Sequence, residues 1–374
     1  MPEDDTRRCG AGAHLSVDIG RRLTDFTLEA AFEAPPGFTM LLGPSGGGKT
    51  TLLNCIAGLV RPGRGRIALG GAVLFNSASR IDVPVQNRRV GYVFQNLALF
   101  PHLTVAQNVQ YGIMRIPSGE RRQRMMALLE SFRIPHLAER KPGQISGGER
   151  QRAALARSLV TDPAVLLLDE PLVALDNAAK SRILDDLRAW NAAHSIPIVF
   201  VTHAPEEAFA LGERVVVLEA GRIVAHGMPQ EVLTTPRHET VAQIVGFENV
   251  FDAAVTALHE NQGTMVCQLE RTDCELEVPL IRAGIGDPVR IAIRAGDIMI
   301  SAERPHGLSA RNTMHGRIQS IHREGVTVIL RVDAGVTFQV HVTPSAANEL
   351  ELASGREVWL VIKTYSCNLV QRRD

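Results

Sequence analysis

The sequence predicts an α/β domain followed by an all-β one, and three observations carry that reading. Over residues 15–246, short and strongly apolar runs bounded by turn residues alternate with longer helical stretches. Past residue 246 the helical periods vanish, and short β-type runs separated by Gly, Pro or Asp take over. The length, 374 residues, also exceeds what a single hydrophobic core usually serves.

In chain order, "FTMLLG", "VGYVF", "AVLLLDEP" and "IPIVFVTH" read as strands of a parallel sheet covered on both faces, because each run is continuously apolar rather than alternating. Helices are expected at 49–59, 120–132, 148–161 and 178–194. The later runs "MVCQLE", "VRIAI", "VTVILRV", "TFQVHV" and "VWLVIK" suit an OB-like region of two half-barrels. Among them, "GDPVRIAIRAGDIMI" from Gly286 matches "GREVWLVIKTYSCNL" from Gly355 at a constant offset, setting Val289 against Val358, Ile293 against Ile362 and Arg294 against Lys363. Two related β units in tandem is the economical account. The expected limits are an N-terminal extension at 1–14, the α/β domain at 15–246 with a helical subdomain at about 95–160, and the β region at 247–374.

Composition excludes several classes. Hydrophobic residues at 45% and charged residues at 21% exclude a mostly disordered chain. Forty Lys+Arg against forty Asp+Glu leave no basic excess, which argues against a dedicated nucleic-acid binder. No apolar run approaches the ~20 residues that span a bilayer, and the polar, acidic start has no signal-peptide core. Cys9, Cys55, Cys267, Cys274 and Cys367 lack CxxC spacing, as expected of reduced thiols in a cytosol. The cations are nearly all arginine: the only lysines are Lys49, Lys141, Lys180 and Lys363, so each lysine is a position to inspect.

Gly43-Pro44-Ser45-Gly46-Gly47-Gly48-Lys49-Thr50, with Thr51 after it, fits G-x-x-x-x-G-K-[ST] between a strand and a helix. Its glycines let backbone N–H groups curl around an anion, and the helix adds its positive end. Lys49 is then expected at the β- and γ-phosphates of ATP, with the Thr50 hydroxyl on Mg²⁺. The apolar run 165–168 ends in Asp169 and Glu170. Asp169 suits holding Mg²⁺, and Glu170 suits polarising a water for attack on the γ-phosphate. A buried strand with a polar tip would read the same way in isolation; downstream of a phosphate loop the catalytic reading gains weight.

Ile145-Ser146-Gly147-Gly148-Glu149 resembles the signature sequence of ABC-transporter ATPases, usually written LSGGQ, a motif that other P-loop ATPases lack. The family's remaining elements follow in order: Gln95 in "YVFQ" matches the Q-loop, Ala174-Leu175-Asp176 the D-loop and His203 the switch histidine. Ile145 and Glu149 depart from the usual Leu and Gln, and Val173 stands where Ser is common. The resemblance implies a P-loop ATPase fold with a helical subdomain, working as a homodimer. In it Ser146, Gly147, Gly148 and Glu149 meet the γ-phosphate held by a second copy's phosphate loop, with Asp176 beside them. It also implies that His203 touches the γ-phosphate across the site and that Gln95 links Mg²⁺ to a transmembrane partner. An aromatic upstream of the loop usually stacks on adenine in this family; Phe26 is the nearest candidate and Phe32 the rival.

Ser309-Ala310-Arg311-Asn312 followed by Gly316 looks like the "SARN" opening of small molybdate-binding β domains, with a module expected over 307–371. Residues 342–363 resemble its second half, so the resemblance adds Ser345 and Lys363 to the oxyanion set. A tetrahedral dianion wants fixed donors and one or two cations, which these side chains supply. The implied protein is the ATPase subunit of a molybdate importer. It would sit at the cytoplasmic face of the inner membrane as a peripheral protein, with two permease subunits fed by an external molybdate-binding protein and no nucleic acid. The apolar segment "NLALFPHLTV" would face the permease, and molybdate would be a regulatory ligand that holds the ATPase dimer apart. The alternative is the ATPase of a tungstate, sulfate, iron or sugar importer whose β domain binds nothing; the SARN segment is the discriminator. A DNA-repair or translation ATPase would carry coiled-coil insertions or two ATPase halves, and an inert storage module would not need Glu170 and His203.

Overall fold

The computed structural model describes residues 14–370 except 25, 174, 235 and 237. Cys9, Ala174 and nearly all of the predicted N-terminal extension therefore lie outside the described residues.

The chain divides into two compact units between Gln230 and Glu231. In the first unit, Gly37–Leu42, Pro197–Val201, Val165–Asp169 and Val90–Val93 pair side by side in parallel. All four are the continuous apolar runs of the sequence, and the first three of them are buried at every position. Arg214–Glu219 extends the parallel set beyond Gly37–Leu42. Past it come Arg222–Gly227, antiparallel to Arg214–Glu219, and then Thr27–Ala34, Leu15–Arg22, Arg64–Leu69, Ala72–Asn76 and Ile81–Asp82, each antiparallel to the next, which complete an eleven-stranded sheet. Thr27–Ala34 alternates exposed and buried residues along its whole length, the pattern of an antiparallel strand with one wet face. The predicted helices appear as Lys49–Ala57, Ser118–Ser131, Gly147–Leu159 and Asn177–His194. Leu52, Leu53, Cys55 and Ile56 press the first of these onto Val165, Leu167, Val199 and Val201 in one apolar cluster.

The second unit contains two five-stranded antiparallel sheets. One runs Glu275–Pro279, Thr264–Leu269, Asn249–His259, Pro288–Ile293, Asn368–Val370; the other runs Met299–Ser301, Glu357–Ile362, Asn312–Glu324, Thr327–Asp333, Thr337–Val342. Both faces feed one core that includes Val255, Cys267, Ile291, Leu330, Phe338 and Leu360. The sequence repeat is the seam of this unit. Each repeat ends in a short strand that crosses to the other sheet: Met299–Ser301 pairs with Glu357–Ile362, and Asn368–Val370 pairs with Pro288–Ile293.

The seam is held by a symmetric pair of asparagines. Asn249 accepts from the Gln339 N–H at 2.6 Å and donates to its carbonyl at 2.8 Å. Asn312 does the same with Glu277, at 2.6 and 3.0 Å. Both are buried, so each amide satisfies main-chain groups that would otherwise be orphaned. The sequence pattern put the boundary between units at 246/247. The packing moves it earlier, because Ala242 and Phe247 join Ala292 and Val370 in a satellite cluster and Arg290 ion-pairs with both Glu239 and Asp252.

Candidate nucleotide site

The phosphate loop is shaped by what surrounds it. Gly48 closes it at φ +101°, as the N-cap of the helix Lys49–Ala57. A Cβ on Gly43 would lie 2.0 Å from the Leu218 carbonyl oxygen, so no side chain fits there. Pro44, Ser45 and Gly46 are exposed along the loop and Thr51 is half-buried behind it. Lys49 is buried, and its Nζ donates to the carbonyls of Gly43 at 2.8 Å and Pro44 at 2.9 Å. Burial pulls its pKa below the ordinary lysine value, opposed by the charges of Glu170 and Asp169.

The far end of that helix has a cation the sequence reading missed. Arg88 is fully buried, and its Nη1 donates to the Cys55 and Ile56 carbonyls at 3.0 and 2.9 Å. Its other nitrogens reach the Val83 carbonyl and Asp82. A cation on the last-turn carbonyls both satisfies orphan acceptors and opposes the helix dipole. Cys55 packs beneath, its thiol pushed up to about 11 by burial, which suits a packing residue rather than a reactive one.

Two carboxylates close the site at the end of the strand Val165–Asp169. Asp169 is buried and accepts from the Thr50 hydroxyl at 3.2 Å; burial, reinforced by Glu170, raises its pKa although Thr50 opposes the shift. Two adjacent carboxylates with a hydroxyl between them and the loop form a hard oxygen set that calls for a divalent cation. Thr50, Asp169 and Gln95 would hold Mg²⁺, which would shield the charge of the phosphates. Glu170 takes left-handed backbone geometry, φ +48°, with its N–H bonded to the Val201 carbonyl. A non-glycine residue held there costs about 1–3 kcal/mol, a cost that recurs at functional sites. Its carboxylate is bracketed by His203 Nε2 at 2.6 Å and Gln95 Nε2 at 3.3 Å. The three residues predicted to be catalytic thus meet at one point.

Phe26 and Phe32 separate cleanly. Phe32 is buried in the core of the sheet, whereas the Phe26 ring lies against Gly48 and Gly221, beside the phosphate loop and half-buried. The signature residues form their own turn. Ser146 caps the helix Gly147–Leu159, accepting from the Glu149 N–H while Glu149 accepts from both the N–H and the hydroxyl of Ser146. Those bonds hold the Glu149 carboxyl below the usual carboxylate range, so it is ionised at neutral pH. Asp176 caps the helix Asn177–His194 through the Ala179 N–H at 2.8 Å. Leu175, its neighbour, approaches both Gly147 and Gly148.

The predicted oxyanion residues are only partly brought together. Asn312 opposes Ile362 at the end of the strand pair, so Arg311 and Lys363 flank that same end, one on each strand, and both are exposed. Ser309 is exposed and Ala310 half-buried in the segment leading to them. The Asn312 side chain, however, is committed to the main chain of Glu277. Ser345 stands in the helix Pro344–Glu349, bonded to Glu349. That helix follows an edge strand whose Val342 is level with Val328 and hence with Arg323, at the opposite end of the strand Asn312–Glu324 from Asn312. The sequence spacing could not reveal this, because side-chain chemistry alone says nothing about strand order.

Residues 30–173 match the ABC transporter family and residues 308–369 match the TOBE domain. The chain is 42% identical over 355 residues, 94% of its length and 95% of the relative, to a molybdenum import ATP-binding protein of Mesorhizobium japonicum. It is 38% identical to a molybdate/tungstate import ATP-binding protein of Pyrococcus abyssi, over 87% of this chain and 90% of that one. Among solved structures, cbiO1 of Clostridium perfringens, part of the ABC transporter complex cbiONQ, superimposes with a TM-score of 0.52 at 29% identity, covering 62% of this chain and 93% of that one. With the loop, the paired carboxylates and the signature turn in place, these likenesses make the chain a member of the ABC-transporter ATP-binding family, in the group with a C-terminal TOBE domain that includes the molybdenum import proteins.

Proposed function

We propose that this chain hydrolyses ATP to drive molybdate import through membrane subunits that it does not itself contain. The observation that carries the hydrolytic half is the Glu170 carboxylate, fixed between His203 and Gln95 at the mouth of the phosphate loop. The loop amides and the Lys49 ammonium bind the phosphates, which requires Lys49 to exchange the Gly43 and Pro44 carbonyls for phosphate oxygens. Water then attacks the γ-phosphorus as the bond to the ADP oxygen breaks, and Glu170 takes the proton from that water. His203 holds Glu170 in place and lies within reach of the γ-phosphate, while Phe26 offers its ring to adenine. Gln95 reports the state of this centre toward the permease.

The site works as half of a pair. Ser146, Gly147 and Gly148 form a second anion cradle at a helix N-terminus, suited to the γ-phosphate held by a second copy. Two copies and two permease subunits at the cytoplasmic face of the membrane complete the importer, fed by an external molybdate-binding protein. Among the described residues no helix is long and apolar enough to cross a membrane. Glu149 places a negative charge at the cradle where relatives of the family usually have Gln. Glu149→Gln keeps the capping box and removes that charge, so the apparent KM for ATP is expected to fall by roughly two- to threefold with kcat little changed, given the modest worth of an exposed charge. Steady-state kinetics at fixed ionic strength reads this out.

Molybdate as cargo rests on the SARN segment together with the relatives. The proposed regulatory site is centred on Arg311 and Lys363, with Ser309 and the backbone about them as further donors. Asn312 would shape this site through the strand seam, and Ser345 would take part only from another copy. Titration of the full-length chain with molybdate, tungstate and sulfate is expected to give heat with the first two, and Lys363→Ala is expected to weaken binding at least tenfold, the loss of a charge-assisted contact. Bound molybdate acts as a brake if it favours the separated dimer. Unchanged ATPase activity of the importer at saturating molybdate would remove the brake, and absence of heat with all three anions would leave a non-binding β domain and a different cargo.

A further inference from the structure

Lys180 is one of four lysines in the chain and belongs to none of the motifs above. It lies in the first turn of the helix Asn177–His194, one turn after Asp176, which caps that helix. Its Nζ stands 3.5 Å from Oε1 of Glu207, a carboxylate on the short helix Pro205–Leu211 whose side chain is 8% exposed. The other oxygen, Oε2, accepts from the Thr202 hydroxyl at 2.6 Å. That hydroxyl in turn accepts the Ala204 N–H at 3.0 Å, and the Thr202 N–H bonds the Leu41 carbonyl at the end of the strand that enters the phosphate loop. His203 sits inside this closed turn, between Thr202 and Ala204. Its own side chain is 39% exposed, and its ring bonds only Glu170 among the described contacts.

The histidine is therefore held through its neighbours. A half-exposed imidazole on a three-residue link has several rotamers open to it. Fixing the backbone on both sides of it with one hydroxyl sets where the ring starts from, so that its bond to Glu170 selects one rotamer. The hydroxyl can do this only while Glu207 faces it, and Lys180, 3.5 Å from the other oxygen, is the cation that holds this carboxylate in place. Because Lys180 rides on the helix capped by Asp176, whose neighbour Leu175 lies against Gly147 and Gly148, the same chain of contacts reaches the turn that receives a second copy's nucleotide.

We infer that Lys180, through Glu207 and Thr202, is a positioning residue for His203 and ties the aim of that histidine to the helix following Asp176. The inference rests on the catalytic reading of Glu170 and His203 above.

Kinetics of the full-length chain test it. Lys180→Met is expected to lower kcat roughly tenfold, since a displacement of about 1 Å at a reacting centre costs up to a hundredfold, with KM for ATP moved less than twofold. Lys180→Arg is expected to restore kcat to within twofold. Thr202→Val, which removes the hydroxyl without removing an ion, is expected to lower kcat similarly. The double variant is expected to be no slower than the worse single one, because both act through one path. A Lys180→Met chain with reduced thermal stability but wild-type kcat per folded molecule would overturn the inference, as would fully multiplicative effects in the double variant. If Lys180→Met does not fold, Thr202→Val decides alone: wild-type kcat overturns the inference. His203→Ala separates the layers. If it leaves kcat intact the catalytic reading fails; if it abolishes turnover while Lys180→Met does not, only the positioning role fails.

Discussion

Replacing Glu170 with Gln is expected to lower kcat by on the order of a hundredfold or more while ATP binding persists. The amide is nearly isosteric, so the phosphate loop, Lys49 and Thr50 remain as they are. What is lost is the ability to accept a proton from the attacking water, a role that general-base catalysis values at about 10²–10⁴ in rate. Because the ATP-bound state is then not consumed, a nucleotide-bound dimer is expected to accumulate, visible by size-exclusion chromatography with ATP and absent with ADP. Hydrolysis at the normal rate would sink the assignment. The geometry adds a second expectation within the same variant. Gln can still bond His203 and Gln95, so the loss is of chemistry and not of fold, and its thermal midpoint should match the parent within a degree or two.

The largest expected effect on stability comes from Arg88. Arg88→Met fills much of the same volume but takes the donor from the carbonyls of Ile56 and Val83 in a dry interior and leaves the Cys55 carbonyl only the Gly58 N–H. Each orphaned buried acceptor costs about 1–3 kcal/mol. The partner Asp82 is itself 36% exposed on its side chain and can rehydrate, which limits its share. A total of about 3–5 kcal/mol follows, as for other broken buried ion pairs. A unit of this size loses about 2–4 °C per kcal/mol, so a fall in Tm of roughly 10 °C is expected by calorimetry. Arg88→Lys is expected to recover only part of it, since an ammonium has no planar fork to serve three carbonyls and a carboxylate at once. Such a variant should also bind ATP more weakly, because the helix it loosens begins at Lys49.

Four parallel strands were legible in the sequence because a strand covered on both faces must be apolar throughout, and each of the runs 38–43, 90–94, 164–171 and 196–203 carries that mark; the fifth, Arg214–Glu219, was not foreseen. The antiparallel flank was not foreseen. Its strands alternate polar and apolar residues, as in Thr27–Ala34, and weak alternation over eight residues is easily mistaken for an irregular connection. The site was legible to the same degree as its motifs were contiguous. The loop 43–50, the pair Asp169 and Glu170, and the signature turn each lie within a few residues of one another along the chain. Gln95, His203 and Asp176 were found through the order of known family elements, and the structure brings Gln95 and His203 to Glu170.

Arg88 and Lys180 had no local signal, because each acts on a group far away along the chain; Thr202 and Glu207 are near in sequence, but their bond depends on the turn that carries His203. Asn312 had a misleading one. Its place in the SARN segment suggests a ligand donor, yet its repeat mate Asn249 makes the same pair of main-chain bonds, which marks both as seam residues.

What the sequence determined by itself is the order of elements, the strand-or-helix character of the continuous apolar runs, the repeat in the β unit and the motif residues proposed to meet phosphate. These follow from local propensity, from periodicity and from residues adjacent along the chain. Only the tertiary structure decided which of those groups converge: Glu170 in a left-handed backbone between His203 and Gln95, Phe26 rather than Phe32 beside the loop, and Arg311 with Lys363 but without Ser345. It also moved the boundary between units and revealed Arg88, the buried cation at the far end of the phosphate-loop helix. The physical reason is that convergence depends on strand order and register, and these are fixed by the burial of whole faces at once, a property that no short segment carries.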